Sequence, residues 1–440
     1  MNPTGSVVEL RHELEHRLAD ARSRTDEIFR LFKPDAIFER PIPERHRLIF
    51  YLGHVEAFDW NLIARRACDR PAFSPELDQL FAFGIDPVDG GLPSDRPSDW
   101  PGVGKVQDYN RRVREEIDRI LAHEDWSPHP LLRDGLAFHV AIEHRLMHAE
   151  TLAYLLHRLP LGKKQAGSAR VQPPAIPVPP RLVHVPAGRA TLGLRRDSGA
   201  FGWDNEFEQN VVDVPAFSID AFPVTNGQFL DFMNAGGYRE KSLWTDEDWA
   251  WREREGIVHP AFWQPSGENW ALAGMFDELS MPLHWPVYVS HAEACAYARW
   301  RGHSLPTEAE FHRAAYGTPE GTEREYPWGD AAPSPAHGNF DFHRWDPTSV
   351  GAHRDGDSAF GVSDLVGNGW EWTSTVFAPF PGFQAFPFYE GYSANFFDGK
   401  HYVMKGGSTR TAAVMLRRSF RNWFQPHYPY VYGKFRCVER

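Results

Sequence analysis

Between residues 7 and 160 the apolar side chains recur three or four positions apart, with charged residues between them. That is the period of helices that bury one face. Four segments carry the pattern, 7–32, 44–68, 105–123 and 132–158, and four amphipathic helices predict a bundle. Pro41 and Pro43 lead into the second of them. Residues 87–101 break the pattern with Pro87, Gly90, Gly91, Pro93, Pro97 and Pro101, and a loop of that length in a small bundle points to function. Residues 162–182 are Pro-rich and lack aromatics, which predicts a linker. Beyond it the helical period gives way to short strands, such as LVHVPAG and HYVMKGG, between clusters of Gly, Pro, Asn and Asp. Helices are expected at 290–301, whose alanine-rich pattern suits a buried helix, and at 307–316. The expected class is α+β with two domains: a helical bundle over 1–161, the linker over 162–182, and an irregular mixed domain over 183–440.

Composition narrows the functional classes. The formal net charge is -12 over 440 residues, which disfavours nucleic acid and anionic membrane surfaces as partners. Aromatics make up 14%, including 16 Trp, and Trp side chains need both an apolar bed and an N–H acceptor, as pocket walls provide. Cys68, Cys295 and Cys437 are scattered without a CxxC pair, so a reducing cytoplasm is expected rather than a disulfide framework. The first residues carry no apolar core of a signal peptide, and no stretch approaches the length of a membrane helix.

Histidines supply the candidate chemistry. In EHRLMHAETLAYLL, His144 and His148 lie four apart and project from one helix face with Ala137, Ala141 and Leu152. Glu150 falls about 240° around the helix from His144 at the 3.6-residue period, which removes it from the same ligand set. His54 shares a face with Tyr51, Phe58 and Leu62. Any one of these histidines would ordinarily be a core residue. Three inward histidines on two helices suit a metal, and imidazole accepts Fe, Zn, Cu or Ni. Three neutral ligands leave positions open on an octahedral ion, whereas a structural zinc closes its fourth position.

The strings VTNGQF (224–229), SLPTEAEFHRAAYG (304–317), YPWGD (326–330), LVGNGWEWT (365–373) and KGGSTRT (405–411) resemble the formylglycine-generating-enzyme domain, a C-type-lectin variant. That chemistry uses a cysteine pair near the C-terminus. This chain has no cysteine between Cys295 and Cys437, so the domain is expected to serve another purpose. Gly53–His54 and the HxxxHxE string at His144, His148 and Glu150 resemble DinB-like four-helix bundles. Together with WDNE (203–206), GGYREKSLW (236–244), WAWRE (249–253), PGFQAFPFYEGYSANFFDG (381–399) and SFRNWFQPHYPYVYGKFR (419–436), the chain resembles the ergothioneine-pathway sulfoxide synthases and the related ovothiol enzymes.

This resemblance implies a nonheme Fe(II) held by His54, His144 and His148. It also implies substrates that are small molecules: hercynine or histidine, a thiol, and dioxygen, joined by a C–S bond as a sulfoxide. Asn422 and Trp423 match the positions that hold the trimethylammonium group of hercynine, with Arg421 and Met147 beside the acceptor. Tyr389 and Tyr392 are the candidates for the catalytic tyrosine. Asp364, Asn368 and Glu371 are expected to stabilise the GNGWEW turn, with a structural calcium ion as the alternative.

Departures from the family pattern fall on the sulfur donor. The loop GIDPVDGGLPSDRPSDW carries Asp86, Asp89, Asp95 and Asp99 but only one arginine, Arg96, which disfavours a dicarboxylate thiol such as γ-glutamylcysteine and favours cysteine. LFAFGIDP is similar to the ovothiol-type enzymes, which use cysteine. Met147 stands where some relatives have Gln, and Phe424 where some have an Asp that binds the donor amine. A selenium donor remains an alternative, as does histidine as acceptor. The rival outside catalysis is a metal-containing binding module.

Overall fold

The computed structural model describes residues 3–83, 92–165, 167 and 177–440. The chain divides into two compact units, Met1–Ser168 and Ala169–Arg440. The first is helical: α1 (Pro3–Arg30), α2 (Leu48–Asp59), α3 (Pro75–Phe83), α4 (Val103–His123) and α5 (Leu136–Arg158). α1 packs on α5 and α4, and α2 on α4, α5 and α3. The apolar stripes read from the sequence meet in the middle, where Leu14, Leu18, Ile49, Val113, Ile117, Ala141 and Leu152 are almost fully buried.

Three features differ from the sequence expectation. The helix expected over 44–68 begins at Leu48, and from Trp60 to Ala67 it widens into π-helical turns. Helix α3 was not expected. Its start is fixed by Asp78, whose carboxylate accepts from the backbone N–H of Phe73 and Ser74, at 3.1 and 3.3 Å, a local capping pattern. The aspartate-rich loop after it begins in residues 84–91, outside the described residues, where Asp86, Asp89 and the second half of LFAFGIDP also lie. Its described part brings in arginines from elsewhere in the chain. Asp95 pairs with Arg40, accepts from Arg47 Nε at 2.8 Å and from Trp100 Nε1 at 2.7 Å.

Among its described residues the second unit mixes short strands with four α-helices. β1 (Leu182–Val185) pairs antiparallel with β4 (Phe217–Asp220), and β2 (Gly188–Leu192) with β3 (Asn210–Val214). Then come α6 (Asn226–Asn234), α7 (Asp246–Glu255), and the antiparallel β5 (Trp263–Ser266), β6 (Asn269–Ala273) and β7 (Glu278–Ser280). Helices α8 (His291–Trp300) and α9 (Glu308–Tyr316) follow. Each begins in a reciprocal capping box, Ser290 with Glu293 and Thr307 with Glu310, which is why SHAE and TEAE start helices here. The main sheet runs β10 (Asn422–Phe424), β9 (Tyr402–Lys405), β8 (Trp370–Val376), β11 (Gly433–Lys434), the last pair parallel. β12 (Val438–Glu439) closes the small sheet on β4. The core lies where α9, through Phe311, Ala314 and Ala315, packs with Val183, Val185, Ile219 and Leu365.

The three side chains named for the turn, or alternatively for calcium, have partners within the protein. Glu371 is buried between Lys434, at 2.8 Å, and Arg436, so its charge is already neutralised by two cations. Asn368 accepts from Thr348 N at 2.8 Å and donates to Thr348 O at 2.9 Å, and Asp364 accepts from Gly351 N at 2.6 Å. These side chains hold the turn together.

Candidate metal centre

Helix α2 presents His54 and helix α5 presents His144 and His148, and packing of the two helices brings the three imidazoles together. Nε2 of His148 lies 3.1 Å from Nε2 of His54 and 3.2 Å from Nε2 of His144. His54 Nδ1 sits 2.6 Å from the carbonyl of Phe81. A carbonyl only accepts, so Nδ1 carries the proton and Nε2 keeps its lone pair. One imidazole proton on His148 Nε2 could serve one neighbour, never both. A cation among the three nitrogens satisfies all of them. Donors about 2.1 Å from one metal and roughly at right angles would be about 3 Å apart, close to the spacing seen. Glu150 does not join this group, as the helical wheel requires.

The surroundings keep the imidazoles neutral, the form that binds metal. His54 is pushed down to about 4 by burial, against the opposing bond to Phe81; His144 lies well below the usual range through burial and the nearby His148, and His148 through burial and the nearby His54. Phe58 stacks on His144 at 3.5 Å, Phe50 on His54 at 4.6 Å, and Tyr51 lies 5.6 Å from His148. Gly53 is required by the same packing. A Cβ there would meet the Phe81 ring at 2.5 Å, and Phe81 carries the carbonyl that orients His54.

Sequence reasoning missed the ion network behind the site. Arg145, next to His144, donates from Nη1 to Glu56 Oε1 at 2.9 Å and from Nη2 to Glu56 Oε2 and Asp59 Oδ2, both at 2.7 Å. All three side chains are fully buried. Arg114 of α4 extends the network to Glu56 at 2.8 Å and to Asp26 of α1 through two bonds of 2.8 Å. Burial raises the Glu56 carboxyl, but Arg145 and Arg114 outweigh it and hold the group at about 2. The only signal in the sequence was two acids, Glu56 and Asp59, inside the apolar run of α2. Their partners lie 50 to 90 residues away, with no local spacing to reveal them.

In the second unit the remaining candidates gather in one aromatic cluster. Tyr392 stacks on Trp203 at 4.0 Å, meets Trp423 edge-on at 5.4 Å, and lies 5.5 Å from Tyr389. Trp423 stacks on Phe377 at 4.2 Å, with Phe396 at 5.6 Å. The WDNE string holds the cluster: Ser393 donates to Asp204 and accepts from Asn205 Nδ2 at 3.0 Å, and Glu206 takes Arg417 and Ser419. Tyr389 is pushed up to about 12 by burial and by Asp204. Arg421 is buried. It donates to Glu308 at 2.9 and 3.1 Å and to the Ala378 carbonyl at 3.0 Å, while Asn422 and Trp423 next to it are half-buried on β10. Phe424 stacks on Tyr428 at 5.3 Å. Met147, half-buried, is separated by two residues from His144 on α5 and adjoins His148.

Residues 168–440 match the sulfatase-modifying factor enzyme 1-like domain model. A hercynine oxygenase of Mycolicibacterium thermoresistibile is 36% identical over 96% of this chain and 94% of its own, and one of Mycolicibacterium smegmatis 34% identical over 94% and 96%. Ergothioneine biosynthesis protein 1 of Neurospora crassa is 28% identical over 92% of this chain and 55% of its own. No helix among the described residues is long and apolar enough to cross a membrane.

Proposed function

The chain belongs to the hercynine oxygenase family, with a C-terminal sulfatase-modifying-factor-like domain, and from that membership we propose that it is an oxygen-dependent sulfoxide synthase of ergothioneine biosynthesis. It joins a thiol sulfur to the imidazole of hercynine. The observation that carries this reading is the match to hercynine oxygenases over nearly the full length of both chains. The overall change balances: an imidazole C–H, a thiol S–H and dioxygen give the C–S sulfoxide and one water.

In this reading the first unit is a DinB-like bundle, and His54, His144 and His148 hold Fe(II), because their Nε2 atoms converge with neutral rings. Iron bound there supplies the binding and activation of dioxygen. The second unit binds the acceptor. The face of Trp423, among Phe377, Phe396 and Tyr392, suits a trimethylammonium group through cation–π attraction, with Asn422 beside it. Arg421, tied to Glu308, sets the backbone on which both stand, and Met147, next to His148 on α5, is the first unit's candidate for contact with the acceptor. Tyr389 keeps its proton at neutral pH and is the proton donor, with Tyr392 as its packed neighbour. Cysteine is the donor: of the arginines around the aspartate-rich loop, Arg40 and Arg47 are taken by Asp95, which leaves little to grip a second carboxylate.

Product mass spectrometry tests this, with hercynine and histidine each paired with cysteine and γ-glutamylcysteine. A sulfoxide of hercynine and cysteine is expected. Oxygen uptake that is nil for every pair, in anaerobically iron-loaded protein, would reduce the chain to a binding module. His144→Ala should lose iron and turnover together, and near-normal iron content in that variant would overturn the ligand set.

A further inference from the structure

A second gathering of metal-capable side chains, sharing no residue with the three histidines, lies in the helical unit. Cys68, Glu124 and His129 place a thiol sulfur, a carboxylate oxygen and an imidazole nitrogen within 4.8 Å of one another. Cys68 ends the π-helical continuation of α2, Glu124 follows the last residue of α4, and His129 stands in the turn that leads to α5. Three separate segments therefore converge on one point.

The donors are held in place by their own neighbours. Glu124 Oε2 accepts from Arg70 at 2.6 Å, while Oε1 faces His129 Nε2 at 3.7 Å. The arginine thus occupies one carboxylate oxygen and leaves the other turned toward the imidazole, as outer hydrogen bonds do for ligating carboxylates. Arg11 donates to the backbone carbonyls of Leu121 and Glu124, at 2.6 and 2.5 Å, and so fixes the end of α4. The turn to His129 is closed by Ser127, which donates to Asp125 from N and Oγ at 3.0 and 2.8 Å, and by His129 N, which donates to Trp126 O at 3.1 Å. Cys68 is buried.

We propose that Cys68, Glu124 and His129 form a second metal site for a zinc-class divalent cation, separate from the three-histidine centre. Thiolate, imidazole and carboxylate are the zinc donor set, and three of them leave the fourth tetrahedral position for water. The thiol proton passes to solvent as the Zn–S bond forms. Bound there, the ion clips the end of the α2 continuation to the end of α4 and to the approach of α5.

Cobalt(II) serves as the spectroscopic stand-in, added to the full-length protein. The three-histidine centre has no sulfur, so a thiolate-to-cobalt charge-transfer absorption reports this site alone, whatever the outcome for sulfoxide synthesis. The expected result is a band that saturates with one equivalent beyond what the three-histidine centre takes, is displaced by zinc, disappears in Cys68→Ser, persists in Cys295→Ser, and titrates at least about tenfold more weakly in His129→Ala. Absence of the band in the unaltered chain, or its survival in Cys68→Ser, overturns the proposal. If Cys68→Ser does not fold, His129→Ala decides: unchanged cobalt affinity overturns it.

Discussion

His54 owes its orientation to a residue with no chemistry of its own. Gly53 lets the Phe81 ring approach, and the Phe81 carbonyl fixes the tautomer of His54. In Gly53→Ala the new methyl must displace an aromatic ring in a closed core, which costs about 1–3 kcal/mol. The expected result is a lower denaturation midpoint together with weaker iron binding in an equilibrium titration. Stability lost with iron affinity unchanged would show that Phe81 does not orient the imidazole. The tyrosines allow a similar separation. Tyr389→Phe removes a phenol that holds its proton at neutral pH and should slow or divert C–S bond formation with iron content intact. Tyr392→Phe keeps the ring stacked on Trp203 and should act more mildly. Unchanged products from both variants would take tyrosine out of the reaction.

At the scale of elements, what matters is how α2 and α5 keep their relative register. Apolar stripes bring helices together but tolerate sliding, whereas Arg145 forked onto Glu56 with Asp59 beside it accepts one alignment. Glu56→Ala leaves Arg145 buried with half its partners, and breaking such a pair costs about 3–5 kcal/mol. Chemical denaturation of the metal-free protein measures it, and a loss under about 1 kcal/mol would mean that water replaces the carboxylate. Helices α1, α2, α4, α5, α8 and α9 were legible from the sequence, and Ser290 and Thr307 mark the starts of α8 and α9. The π-helical widening after Asp59 and helices α3, α6 and α7 were not. The widening packs against α4 and α5, far along the chain, while α3 starts on the local Asp78 cap.

For the molecule as a whole, buried neutral histidines predict acid sensitivity. His291 is pushed down to about 4 by burial, and burial also lowers His312. The unfolded chain binds these protons near pH 6.5, before the folded one does. The associated stability is therefore complete above about pH 6.5 and is lost as pH falls toward 4, with His291 alone contributing on the order of 3 kcal/mol. Denaturation midpoints between pH 7 and 4.5 should fall, and less steeply in His291→Asn. An identical slope in that variant would remove His291 from the linkage.

The sequence by itself determined the two textures of the chain, most of the helices, the inward direction of His54, His144 and His148, and the exclusion of Glu150, because these depend on local period and spacing. Family motifs in the sequence marked Trp423 and the two tyrosines. Only the tertiary structure decided that three nitrogens meet 3.1 and 3.2 Å apart, that Phe81 orients one of them, that Arg145 locks the helices, and that Glu371 belongs to Lys434 and Arg436. These contacts join residues tens of positions apart, and no local pattern encodes which distant side chain fills a buried group's last hydrogen bond.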